Sequence, residues 1–234
     1  MSGQNDPNRA GGRNPAEEQR APNPAAPEPE AGTPPQAGTP PAPGPQAETG
    51  PAPELRDGGR PIRIAAVADL HYDGSARGAL AHVFAEANRK CQVLVLAGDL
   101  TTHGRPEQMR MLIEELSGVE IPIVAVLGNH DHDADAVDEL GAILSERGVH
   151  LLEKGPIEIQ GVGFAGIKGF LGGFGRGALA PFGEKEIKDF VRTTLDDVIS
   201  LEKSLRFLTT SIKVAVLHYA PIAETVAGEP ESIL

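Results

Sequence analysis

Four short apolar runs, each ending at a polar residue that could bind a metal ion, constrain the fold of this chain more than any other feature. The clearest run is VLVLA, residues 93–97, which is followed by Gly98 and Asp99. Continuous Val and Leu without alternation is typical of a strand buried on both faces, and Gly98 permits a sharp turn at its end. We therefore expect Asp99 at the carboxyl end of a strand, where open α/β sheets bind ligands.

The other three apolar runs end in the same manner. IRIAAVA (62–68) leads into Asp69 and His71, IVAVL (123–127) into Asn129, His130 and Asp131, and KVAVL (213–217) into His218. Carboxylate, imidazole and amide groups suit Mn²⁺, Fe²⁺ or Zn²⁺, whereas a thiolate site would need more than the single Cys91. Taken singly, each residue could instead cap a loop, satisfy a turn or lie half-buried. Their convergence at four strand ends favours a metal site.

The spacing between these residues suggests which ion each of them would bind. Asp69 and His71 are two apart, so both can face one ion, and Asp99 on the neighbouring strand could bridge two ions. Asn129 and His218 would then serve the second ion. His130, oriented by the carboxylate of Asp131, could protonate a leaving oxygen or stabilise charge in the transition state. Of the remaining candidates, we interpret His103, His132 and Asp133 as solvated loop residues, and His82 and His150 as structural.

Helical patterns alternate with the apolar runs. We predict helices at 76–90, 106–116 and 134–147 and a short strand at 149–152, an order typical of parallel βαβ units. Residues 157–160 and 162–167 predict a hairpin, and 169–183 a glycine-rich loop whose phenylalanines pack beneath it or contact a partner. Residues 184–208 predict a long helix with an apolar stripe that we expect to face the core: Ile187, Val191, Leu195, Val198, Leu205 and Leu208.

Residues 1–60 differ in composition from the rest of the chain. Of the 21 prolines, 14 fall here, and Met1 and Leu55 are the only large apolar residues. Such a segment cannot bury enough apolar area to offset its chain entropy, so we predict a disordered tail. It would act as a solubilising linker or as a ligand for proline-binding modules. One folded domain, residues 61–234, should follow it.

Charge and hydropathy limit the classes of partner. The formal net charge is −12, which would repel a nucleic-acid backbone, so we do not expect nucleic acid as a partner. No run approaches the roughly 18 apolar residues of a membrane helix, and the first residues do not resemble a signal segment. With a single cysteine, these features indicate a cytoplasmic protein. The sequence does not indicate an oligomeric state.

The motifs ADLH, GDLTTHG, GNHD and LHYAP follow one another in that order, each behind an apolar strand. Residues 62–221 thereby resemble the calcineurin-like metallophosphoesterases. The resemblance implies an α/β fold, a four-layer sandwich of two mixed β-sheets flanked by helices. It also implies hydrolysis of phosphate monoesters or diesters by a hydroxide held between two metal ions. The order of GDLT and then GNHD is similar to that found in the branch of the family that resembles cyclic-nucleotide phosphodiesterases.

Matching motif positions extend the resemblance to individual residues. Asp69 and His71 would bind the first metal, Asp99 would bridge, and Asn129 and His218 would bind the second. His130 would be the catalytic imidazole.

The family pattern ends with a G-H-x-H element, and no histidine follows His218 in this sequence. From this we expect a domain that is incomplete at its C-terminus, a fragment or an early stop, in which each ion lacks one protein ligand. The alternative is a catalytically impaired, metal-poor scaffold that binds partners through the proline-rich tail and the aromatic loop.

Overall fold

The computed structural model describes residues 56–57, 60–170, 172–174 and 178–227. Its first elements are two short strands, β1 (Arg56–Asp57) and β2 (Arg60–Pro61), which pair antiparallel. Apart from Arg56, Asp57 and Arg60, the predicted tail lies outside the described residues. The described residues therefore include the start of the predicted folded domain.

The first sheet is formed by the apolar runs of the first half of the domain. Its four parallel strands stand in chain order: β3 (Ile64–Val67), β4 (Val93–Ala97), β5 (Ile123–Val126) and β6 (His150–Leu151). Three helices connect them: α1 (Ala81–Lys90), α2 (Pro106–Glu115) and α3 (Val137–Glu146). The predicted parallel βαβ units are confirmed.

A second sheet follows along the chain. It contains β7 (Ile157–Ile159), β8 (Val162–Ile167) and β9 (Ile212–Leu217), with a long helix, α4 (Lys185–Phe207), between β8 and β9. β7 and β8 form the predicted antiparallel hairpin, whereas β8 and β9 are parallel, so this sheet is mixed. The first sheet, in contrast, is wholly parallel within the described residues.

Alternating side chains of the central strand separate two apolar cores. Leu94 and Leu96 of β4 pack with the residues of α1, α2 and α3 in the first core. Val93 and Val95 point to the opposite face, where the second core joins them to Phe164 of the second sheet. Helix α4 packs against the outer face of β8. The layers therefore run helix, sheet, sheet, helix, which is the predicted four-layer arrangement.

Two helices begin later than the sequence pattern predicts. Helix α1 begins at Ala81 rather than at residue 76, because Gly78 adopts a φ of +81°, which no α-helix contains. Helix α3 begins at Val137 rather than at residue 134, and Asp135 before it has a φ of +53°. In both cases a residue with left-handed backbone separates the preceding strand-end loop from the helix.

The prediction that the apolar stripe of α4 faces the core is wrong for much of its length. Val191 and Leu208 are buried, but Leu195 is 55% exposed and Val198 is 54% exposed. Both residues lie in the middle of the helix, and the residue before each of them is half-buried instead. The packed face of α4 is therefore rotated by one position from the predicted stripe, which turns Leu195 and Val198 outward.

Candidate metal centre

The carboxyl ends of β3, β4 and β5 meet at one edge of the first sheet, because the three strands are parallel and in register. Val67 pairs with Leu96, and Ala97 pairs with Val126. The polar residues that follow these strands therefore emerge side by side. The fourth apolar run, β9, lies in the second sheet, yet His218 at its end reaches the same edge, where its Nδ1 lies 3.1 Å from the Ala97 carbonyl oxygen.

Three residues at this edge have left-handed backbones. Asp69, His71 and Asp99 have φ values of +53°, +42° and +49°. Non-glycine residues adopt this region rarely, and when they do it is often at functional sites. Backbone hydrogen bonds hold the conformation: the N–H of Asp69 donates to the Gly98 carbonyl (3.1 Å), and the N–H of His71 donates to the Asp99 carbonyl (2.9 Å). The strand pairing thus continues into the loops and fixes where these side chains start.

Asp99 lies at the centre of the site and is only 3% exposed. Its Oδ1 accepts a hydrogen bond from the backbone N–H of His130 (2.9 Å) and lies 3.4 Å from Nε2 of His218. Its Oδ2 lies 3.6 Å from Nε2 of His71. Each carboxylate oxygen therefore faces a different histidine, the arrangement expected of a carboxylate that serves two sites at once.

The potential ligand atoms form two sets, and Asp99 belongs to both. One set contains His71, Asp99 and His130, and the other contains Asp69, Asp99 and His218; within each set the atoms lie within 4.8 Å of one another. Carboxylate oxygen and imidazole nitrogen are donors that suit borderline and hard divalent ions. The donor types thus fit the divalent ions expected from the sequence. The grouping differs from the expected one, because Asp69 falls in a set with His218, although its Oδ1 also lies 3.9 Å from Nε2 of His71.

The His218 ring is held in the orientation that a ligand needs. Nδ1 lies against the Ala97 carbonyl oxygen, so a proton on Nδ1 would leave the Nε2 lone pair directed into the site. Nε2 also lies 3.0 Å from Oδ1 of Asn129. The structure therefore brings Asn129 and His218 together, as the sequence analysis expected of residues serving one ion.

Two glycines make room for these ligands. A Cβ on Gly128 would lie 2.1 Å from Oδ1 of Asp99, and a Cβ on Gly98 would lie 2.5 Å from the ring of His218. Gly98 also has a φ of +89°, which side chains rarely adopt. The glycines of the GDLTTHG and GNHD motifs thus allow the backbone to approach the ligands closely.

Asp131 and Asp133 differ in what their carboxylates contact. Asp131 is fully buried, and its oxygens accept hydrogen bonds from the backbone N–H groups of Leu100, Thr101 and Gly128 and from the Thr101 hydroxyl. The carboxylate beside the His130 ring is instead that of Asp133, whose Oδ2 lies 3.1 Å from Nδ1 of His130. Asp131 thus ties together the loops after β4 and β5, while Asp133 contacts the imidazole.

The remaining histidines lie outside the two ligand sets. His150 Nε2 lies 2.8 Å from the Gly155 carbonyl oxygen, a structural contact. His82, His103 and His132 are exposed.

Two residues near the site were not singled out in the sequence. The Lys168 carbonyl, just after β8, accepts hydrogen bonds from the N–H groups of His218 and Tyr219 (3.1 and 3.0 Å). The Lys168 ammonium lies 5.5 Å from the centre of the Tyr219 ring, and that ring lies 5.1 Å from the His218 ring. Burial, and then the negative charge of Asp99, raise the pKa of Tyr219. The position of Tyr219 directly after His218 is the signal that could have identified it.

Comparison with known proteins places the chain in a family. The family model described as calcineurin-like phosphoesterase matches residues 62–227. No curated protein matches the chain. No helix among the described residues is long and apolar enough to cross a bilayer.

Two solved structures align with much of the chain. One, entitled as the crystal structure of TT1561 of Thermus thermophilus, is 16% identical with a TM-score of 0.48, and the match covers 68% of each chain. The other is 14% identical with a TM-score of 0.48, and the match covers 69% of this chain and 70% of that one. On the family match, which spans most of the chain, the protein belongs to the calcineurin-like phosphoesterases, metal-dependent hydrolases of phosphoric esters.

Proposed function

We propose that this chain hydrolyses small-molecule phosphate monoesters or diesters at a centre of two divalent ions. Asp69, His71 and Asp99 would hold the first ion, and Asp99, Asn129 and His218 would hold the second. The observation that carries the proposal is the buried carboxylate of Asp99, which directs Oδ2 toward His71, proposed for the first ion, and Oδ1 toward His218, proposed for the second. A carboxylate between two cations lowers their mutual repulsion.

The ions and the residues around them would have separate roles in the reaction. When bound, the two ions, Mn²⁺, Fe²⁺ or Zn²⁺, would activate a water molecule and neutralise charge that develops on the phosphoryl oxygens. The His130 imidazole, beside His71 with ring centres 4.8 Å apart, would donate a proton to the leaving oxygen. We assign the orientation of this imidazole to Asp133, which contacts it, and the support of the loops to Asp131.

The class of substrate and the location follow from charge and composition. The formal net charge of −12 opposes binding of a nucleic-acid backbone, so a small ester is the favoured substrate. The similarity of GDLT and GNHD to the phosphodiesterase-like branch favours diesters among these. Cys91 is free, which suits the cytoplasm.

Metal content and hydrolysis, measured on the same preparation, test the proposal. We expect two ions per chain by elemental analysis, and hydrolysis of bis(p-nitrophenyl) phosphate that a chelator abolishes and Mn²⁺ restores. A chain that binds no ion, or that hydrolyses the diester equally well in excess chelator, would refute the proposal. The absence of bound metal is the result that the scaffold alternative requires.

A further inference from the structure

A cavity of about 340 Å³ lies on the outer face of the second sheet, beneath α4. Ile167 and Leu217, the last residues of β8 and β9, form its floor, and Leu201 of α4 covers it. Phe170 and Phe174 line one side, and Tyr219 lines another. Its size falls in the range of about 300–1,000 Å³ that is usual for small-molecule sites.

Tyr219 joins this cavity to the candidate metal centre. The same ring that lines the cavity lies 5.1 Å, centre to centre, from the ring of His218. The chain passes directly from the His218 ligand atoms to the cavity wall within one residue. The cavity therefore adjoins the candidate metal centre at the Tyr219 ring.

The walls of the cavity favour an uncharged ring over an anion. Two phenylalanines, one tyrosine and several aliphatic side chains supply most of the surface, which suits stacking and apolar burial. Asp197 and Thr194 of α4 are its main polar side chains, and no cationic side chain is among the described residues that line it. A second phosphate or a carboxylate would be repelled by the carboxylate of Asp197, the one charged side chain among the described residues that line the cavity.

A second cavity of about 450 Å³ lies beside α1 and α2. Its lining includes Arg77, Glu114 and Glu115, and it contains none of the candidate site residues among those described. Of these two cavities, the one beside Tyr219 adjoins the candidate metal centre.

We propose that the cavity beside Tyr219 binds the organic substituent of the phosphate ester, and that this substituent is an uncharged aromatic group. The proposal rests on the proposed function, since it takes the phosphate to be held at the metal centre. It adds a specificity site formed by α4 and by the loops after β8 and β9. Specificity for the ester group would thus come from the second sheet, whereas the phosphate would be bound at ions held by residues of both sheets.

Two phosphonates that differ only in their substituent test the proposal. We would measure the dissociation constants of benzylphosphonate and methylphosphonate for the Mn²⁺-loaded chain by calorimetry. Only benzylphosphonate carries a ring that the cavity would bury, so it should bind roughly 10- to 50-fold more tightly than methylphosphonate. Equal affinities would overturn the cavity assignment while leaving the proposed function intact.

A pair of substitutions on α4 separates the cavity from the rest of the helix. Val198 lines the cavity and is 54% exposed, whereas Leu195 is 55% exposed and does not line it. Val198→Phe should fill the cavity and reduce the preference for benzylphosphonate to less than about threefold, with methylphosphonate unaffected. Leu195→Phe should keep the full preference. If both variants keep it, the substituent does not bind in this cavity.

A neutral probe distinguishes failure of the cavity proposal from failure of the proposed function. Benzyl alcohol carries the ring without a phosphoryl group, and its binding can be followed by NMR through the Tyr219 ring signals. If neither phosphonate binds but benzyl alcohol shifts these signals in the wild type and not in Val198→Phe, the cavity accepts aromatic groups and the phosphoester function is wrong. If benzyl alcohol does not bind either, the cavity assignment is overturned as well.

Discussion

At the scale of single residues, the site combines unfavourable backbone geometry with buried charge. Asp69, His71 and Asp99 are all held in the left-handed region, and Asp99 is almost fully buried. Each such residue costs of order 1–3 kcal/mol, so the fold must over-determine these conformations. The strand ladder that continues from Gly98 and Asp99 to the loop after β3 provides that support. We infer that the strain is retained because these side chains must converge.

His130→Ala separates metal binding from proton transfer. In the proposed function His130 donates a proton and is not a required ligand, so the variant should keep both ions. Its turnover of an alkyl phosphate ester should fall by about 10²–10⁴-fold, the range for loss of a positioned acid. An aryl ester, whose leaving group needs little protonation, should be affected less. Loss of metal from the variant would instead make His130 a ligand, consistent with its place beside His71 and Asp99.

Glu153 should make the stability of the metal-free chain depend on pH. Although the residue as a whole is exposed, its carboxyl group reaches inward, where Oε1 accepts the N–H of Leu127 (2.7 Å). Burial of the carboxyl raises the pKa of Glu153 to about 7, although the Leu127 N–H opposes the shift. Because the folded pKa lies above the ordinary value of 4.5, this stabilisation is complete below pH 4.5 and is lost as the pH rises to about 7.

Glu153→Gln tests that assignment, since glutamine keeps an acceptor for Leu127 but cannot ionise. In excess chelator, the melting temperature of the variant should exceed that of the wild type at pH 8, and the difference should vanish near pH 4.5. A constant difference across this range would show that Glu153 titrates normally.

At the scale of elements, the sequence pattern predicts the strands better than the helix ends. Buried apolar runs place β4 and β5 to within a residue or two, because little else can occupy the centre of a two-sheet sandwich. The late starts of α1 and α3 depend on the left-handed backbones of Gly78 and Asp135, which periodicity does not encode. Which face of α4 packs against β8 is set by tertiary contacts, and the residues before Leu195 and Val198 are half-buried instead of these two.

The same limit applies to the candidate site. The five metal-ligand candidates could be found because each follows an apolar run directly. Spacing could not show whether Asp131 or Asp133 contacts the His130 ring, because both lie in or next to the same 3-10 turn after β5. The geometry of that turn brings Asp133 to the ring. Asp197 and Thr194 lie in the middle of α4, where no sequence motif marks them.

Gly128→Ala tests whether the loop after β5 positions Asp99. The added Cβ would meet Asp99 Oδ1 at 2.1 Å, so the carboxylate must move although no ligand is removed. We expect metal affinity to fall by at least ~10-fold, as for other changes that displace a ligand through its surroundings. Gly118→Ala, where nothing lies within 4 Å of the added Cβ, is the matched control and should bind metal normally. Wild-type affinity in Gly128→Ala would mean that Asp99 is not held as described.

At the scale of the whole molecule, the two sheets contribute different parts of the proposed site. The first sheet supplies Asp69, His71, Asp99 and Asn129, and the second supplies His218 together with the cavity beneath α4. The contact between His218 Nδ1 and the Ala97 carbonyl oxygen joins the two sheets at this edge. The apolar core between the sheets therefore contributes to the proposed site as well as to stability, because it fixes the distance between the residues that the two sheets supply.

The N-terminal segment should not contribute to this arrangement. Its composition, rich in proline and almost free of large apolar residues, leads us to propose that it does not add to the stability of the domain. Removal of residues 1–49 should leave the melting temperature and the metal content unchanged within error. A fall of many degrees would show that the segment stabilises the domain.

The central claim is that Asp99 is shared by two ions, and metal content after two single substitutions tests it most directly. Asp99→Asn should lose most metal from both sites, because a neutral amide does not offset the repulsion between the cations. Asp69→Asn, the matched change at a residue assigned to one ion, should lose mainly that ion. Elemental analysis of the purified variants measures both. Full occupancy in Asp99→Asn, or the same partial loss in both variants, would contradict the claim.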